Sequence, residues 1–119
     1  MKNLMETLNI KTISVAKTKV IISLEVSDAV RQPYGILHGG INSVMAETAA
    51  SIGANENLVD EKHAVGINIS TQHLLPVADG TIIATASPIH IGQTLQTWNV
   101  EITNKQKITS TSVVTLLNK

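Results

Sequence analysis

The sequence predicts an α+β domain in which an antiparallel sheet of about six strands is covered by one long helix. Three observations carry that expectation. About six segments are rich in β-branched residues and roughly alternate apolar with polar side chains. One stretch departs from this pattern: Ile41, Val44, Met45, Thr48, Ala49 and Ile52 recur at helical spacing. Turn formers separate the runs, notably Pro33, Gly35, Pro76, Asp79-Gly80 and Gly92. A sheet of this kind has an apolar face that must be buried against another layer, and the single long helix is the obvious cover.

In chain order, residues 1–8 can form a short helical turn, and Asn9 to Ala16 alternates as a half-buried strand does. Lys17, Thr18 and Lys19 interrupt it before Val20 to Val26 resumes a β pattern, so the two runs predict a hairpin ended by Ser27 and Asp28. Pro33 and Gly35 lead to Gly39-Gly40 and a helix expected over Ile41 to Ala54, with Asn55 and Asn57 as terminators. After a polar loop through Lys62, strands are expected at Ala64 to Leu74, Thr81 to His90, Leu95 to Thr103 and Ile108 to Leu117. The 119 residues, 43% of them hydrophobic, suit one domain spanning 1–119, without repeats or linkers.

Composition removes several functions. Nine basic residues balance nine acidic ones along the chain, so no basic footprint points to nucleic acid or an anionic membrane. Tyr34 and Trp98 are the only aromatics, too few for a base-stacking platform. There is no cysteine for disulfide, thiolate or cysteine-ligated metal chemistry. Glu6 interrupts the N-terminal stretch before an apolar targeting segment develops, and no apolar run reaches membrane-spanning length; a cytoplasmic protein is expected. His38, His63, His73 and His90 lack close ligand spacing, so no metal is expected. Neither dinucleotide-binding nor P-loop glycine motifs occur, nor a serine elbow.

One carboxylate remains unexplained. From Gly35 to Ala54, Glu47 is the only side chain with a formal charge when His38 is neutral. A carboxylate on a helix that reads as buried is costly unless hydrogen bonds or function compensate. Positions four apart lie one above another, so Ser43, Glu47 and Ser51 form a narrow polar stripe. A solvent-facing stripe is the ordinary reading, weakened here by the lack of other charges. Gly39-Gly40 leaves the helix start open, without a Ser, Thr, Asp or Asn cap, and its unpaired amides can hold a carbonyl that becomes an oxyanion. Eight residues of helix separate Gly39 from Glu47 by about 12 Å, too far for one reacting carbon. Two antiparallel helices across a dimer two-fold bring Gly39 of one subunit toward Glu47 of the other.

Gln32-Pro-Tyr-Gly-Ile-Leu-His-Gly-Gly, then Ala46-Glu47 and Ser51, resembles the hotdog-fold acyl-CoA thioesterases, in particular the PaaI-related branch with its 4-hydroxybenzoyl-CoA and 1,4-dihydroxy-2-naphthoyl-CoA thioesterases. The likeness continues through Gly66 to His73 and Ile89 to Gly92, and it covers about residue 30 onward. It implies a sheet wrapped around the helix and a homodimer with a continuous sheet, paired further into a homotetramer. Glu47 would attack the thioester or activate water, and the Gly39 amide would polarise the carbonyl from the opposite subunit. Gln32 would orient the thioester, His38 would hold the loop or assist the leaving group, and Ser51 would position water. Gly40, His73 and His90 would contact substrate. No cofactor is implied, since CoA is part of the substrate. The segment before the motif is shorter than in many relatives and the chain has no Phe, which departs from an aromatic-lined acyl pocket. An enoyl-CoA hydratase or dehydratase and a non-catalytic acyl-CoA binding module are the alternatives.

Overall fold

The structure, a computed structural model, describes residues 2–59 and 61–119. A short helix α1 (Leu4–Leu8) leads into the hairpin β1 (Lys11–Ala16) and β2 (Lys19–Glu25), followed by a single 3-10 turn at Asp28–Val30. The long helix α2 (Gly39–Asn55) comes next, then β3 (Ala64–His73), β4 (Thr81–Ile91), β5 (Leu95–Asn104) and β6 (Lys107–Asn118). The strands form one antiparallel sheet in the order β1-β2-β4-β5-β6-β3. The expected α+β architecture is therefore the observed one, with element ends displaced by a residue or two.

Alternation explains the packing. On β2, β4 and β5 the inward residues Ile22, Leu24, Ile82, Ala84, Trp98, Val100 and Ile102 are buried, and α2 meets them with Met45, Ala46, Ala49, Ala50 and Ala54. Small alanines on that face let the helix lie close to the sheet. The helix C-terminus is tied down by side chains: Asn57 donates to the Gly53 carbonyl (3.0 Å), and Gln96 on β5 donates to the Ala54 carbonyl (3.0 Å). Gln96 also accepts the Trp98 indole N–H at 2.9 Å, fixing the ring beneath the helix. Asn55 and Asn57 thus act at the end of the helix, as their positions predict.

That fixed ring makes Gly53 a close-approach glycine. A Cβ there would lie 2.5 Å from Trp98 Cη2 and 2.6 Å from Cζ3. Gly53→Ala would gain about 1 kcal/mol of helix propensity at an exposed site; here overpacking against a held indole outweighs it. A net loss of about 1–2 kcal/mol is expected, read as a lower midpoint in thermal or urea unfolding.

The two sheet edges differ. β1 is short, exposed throughout, and bulged between Thr12 and Ser14, features that blunt an edge. β3 is ten residues long and pairs on one side only, with β6. It packs beside α2, and the candidate site lies between them.

Candidate active site

The helix starts two residues before the expected Ile41 because the cap is a histidine. His38 has extended backbone angles, and its Nδ1 accepts the Gly40 N–H at 2.9 Å, the reach normally supplied by Ser, Thr, Asp or Asn. No Ser, Thr, Asp or Asn stands at the cap, as expected, but the start is not uncapped, since the His38 imidazole takes the Gly40 amide. The Gly39 N–H, by contrast, has no hydrogen-bond partner among the described residues. It is the first amide of a 17-residue helix, at the positive end of its dipole.

The preceding loop is pinned on both sides of this amide. His38 N–H donates to the Val30 carbonyl (2.8 Å) and Leu37 N–H to the Val77 carbonyl (2.7 Å), while Gly35 turns the chain at φ 85°. Gln32 folds back so that its side-chain amide reaches the Leu37 carbonyl at 3.5 Å. Gln32, Leu37, Gly39, Asn42 and His73 line a cavity of about 340 Å³. The His73 ring lies over Gly39, where a Cβ would be 3.1 Å from Cε1 and 3.2 Å from Nε2.

Glu47 borders a different, wider cavity of about 390 Å³ with Ser51, Ile52, Val65 and Gly66. Its side chain is half-buried rather than enclosed, and among the described residues it has no hydrogen bond or ion pair. Its carboxylate rests against Gly66 of β3, and a Cβ at Gly66 would collide with Oε2. Ser51 stays beside it, bonded through its carbonyl to Asn55 Nδ2 at 2.7 Å. Ser43 shares the face of α2 that meets β3, and its hydroxyl pairs with Thr71 (3.1 Å), which pairs in turn with Ser112 (2.8 Å).

One protomer therefore divides the predicted residues into two groups, Gln32, Gly39 and His73 in one cavity and Glu47 with Ser51 in the other. His90 joins neither. It is exposed on β4, with its ring against Gly92 at the turn into β5, three strands across the sheet from β3. Asn42 and Gly66 were not singled out from sequence. Their places depend on how α2 lies across β3, which helical spacing alone does not contain.

A sheet curled on one helix, with an amide at the helix start and a carboxylate two turns later that are both unpaired among the described residues, has the form of a hotdog-fold thioester hydrolase. The chain belongs to the thioesterase superfamily, whose family model matches residues 34–111. It is 43% identical to the 1,4-dihydroxy-2-naphthoyl-CoA hydrolase of Listeria monocytogenes, over 86% of this chain and 83% of that one. A thioesterase of Haemophilus influenzae superposes with a TM-score of 0.95 at 30% identity, covering 99% of this chain and 83% of its own. A thioesterase of Staphylococcus aureus, solved as a Q32A variant, gives 0.94 at 31% identity over 99% of both chains. The same protein was also solved as a Glu47Ala variant, at 32% identity over 98% of both chains with a TM-score of 0.94. The enzyme class is thioester hydrolase.

Proposed function

We propose that the chain hydrolyses an acyl-CoA thioester to a carboxylic acid and free CoA as a homodimer, with 1,4-dihydroxy-2-naphthoyl-CoA the first substrate to test. Glu47 of one protomer attacks the thioester or activates the water, and the Gly39 amide of the partner takes the carbonyl oxygen as it becomes an oxyanion. Gln32 orients the thioester, Ser51 positions the water, and His38 holds the loop through its cap on Gly40. Neither a metal nor a cofactor enters this scheme. The Staphylococcus aureus variants replace a glutamine and a glutamate numbered as Gln32 and Glu47 are here, and the Listeria relative supplies the acyl group.

The observation that carries the reading is the placement of the two cavities along the unpaired edge of β3. Glu47 rests on Gly66 near one end of that strand, and Gly39 sits under His73 at the other. An antiparallel β3–β3 ladder centred near Ile69 would lay Gly66 opposite Gln72 of its partner, the neighbour of His73. Each Glu47 then faces the partner's Gly39, and the cavities merge into two equivalent sites.

The test is release of free thiol from a panel of CoA thioesters that includes the naphthoyl compound and straight-chain acyl-CoAs. Release of CoA supports hydrolysis, whereas hydration of an enoyl-CoA without CoA release, or tight binding without turnover, overturns it. The dimer has its own test. Ser70→Lys places two cations within about one residue of the two-fold axis, where like charges on adjoining strands repel. The dimer dissociation constant is expected to rise about tenfold, seen by sedimentation, and CoA release per protomer to fall on dilution.

A further inference from the structure

Asn42 is buried to 5% exposure on the first turns of α2, and its side chain points at one group, the His73 imidazole, with Nδ2 3.1 Å from Nδ1. Its Oδ1 is buried without a partner among the described residues. The other unpartnered buried side-chain oxygen among the described residues belongs to Ser110, the register partner of His73 on β6. Both therefore border His73. A buried amide beside an apolar helix face, with its carbonyl oxygen unpartnered, is costly to stability and asks for a functional reason.

We infer that Asn42 is a positioning residue for the proposed thioester site: it holds His73 as the Nε2–H tautomer, so that this N–H stands beside the Gly39 amide as a second donor to the carbonyl oxygen. The inference rests on the hydrolase reading given above. Nδ2 is a donor only, so Nδ1 of His73 must accept, and the ring proton is left on Nε2. In the reverse orientation Oδ1 would take the ring proton and both amide N–H groups would be buried unpaired, against one N–H and the carbonyl oxygen in the present one; an orphaned buried N–H is the rarer and costlier of the two. The Cε1–Nε2 edge of the ring lies over Gly39, in the wall of the cavity that both residues line. An oxygen acquiring negative charge there meets two preorganised donors rather than one. Asn42 exchanges no proton in the reaction; it fixes where the His73 proton resides.

Two measurements test this. Long-range proton–nitrogen correlation of the histidine rings in the ¹⁵N-labelled wild-type protein is expected to show His73 as the Nε2–H tautomer, and Asn42→Ala is expected to give a mixture. In steady-state kinetics Asn42→Ala is expected to lower kcat about tenfold, with KM within about twofold, as loss of a group acting in the transition state does. In a His73→Ala background the same change is expected to do nothing further. A wild-type His73 carrying its proton on Nδ1, or an equal loss from Asn42→Ala with and without His73, overturns the assignment. The tautomer is read on the unmodified protein and needs no turnover. Should Glu47→Ala retain full activity, the hydrolase mechanism falls while the ring measurement still decides the role of Asn42.

Discussion

Glu47→Ala is expected to lower kcat for CoA release by at least ~100-fold while leaving the unfolding midpoint within a degree or two of wild type. The size follows from the role, because removing a nucleophile or general base costs on the order of 10² or more. The small effect on stability follows from the surroundings. Glu47 is half-buried and has no ion pair or hydrogen bond among the described residues, so its truncation leaves no partner orphaned. Measured together, thiol release and thermal unfolding separate the two effects. Unchanged turnover would remove Glu47 from the mechanism, and a collapse in stability would make it a structural residue.

The second large effect is expected at a residue with no reactive group. Gly66→Ala places a methyl where the Glu47 carboxylate now rests, so Oε2 has to move. A displacement of about 1 Å at a reacting group can cost 10²-fold in rate. A loss of kcat of about that size is expected, with the protein still folded. Because the change acts through Glu47, adding Gly66→Ala to Glu47→Ala is expected to cost nothing more. A further loss in the double variant would show that Gly66 serves β3 itself, where the ladder shifts register between Gly66 and Asn68.

What the sequence disclosed and what it withheld divide along a physical line. Glu47, Gly39 and their separation were legible because helical rise and the absence of other charges are local properties. The strands were legible by alternation, and β3 to β6 fall where the β-rich runs do. The His38 cap is not legible from the usual oxygen-bearing cap residues, because here an imidazole nitrogen serves, at 2.9 Å. Ser43 and Glu47 share the helix face that spacing predicts, while the Ser43 hydroxyl's partner, Thr71 across the helix–sheet junction, is not contained in that spacing. Asn42 and Gly66 owe their importance to the same junction: one touches His73 and the other supports Glu47, contacts between residues 31 and 19 positions apart in the chain. Such pairs arise from the angle at which α2 crosses the sheet, a property of the whole fold.

The clasp of Trp98 by Gln96 beneath the last turn of α2 has a practical consequence. Trp98 is the sole tryptophan, fully buried in the core, while the sole tyrosine, Tyr34, is 86% exposed on the loop before the site. The chain thus carries two fluorophores in opposite surroundings. Indole emission reports whether the helix is docked on its sheet, and the phenol samples the approach to the helix start, so unfolding and ligand arrival can be followed in one unlabelled sample.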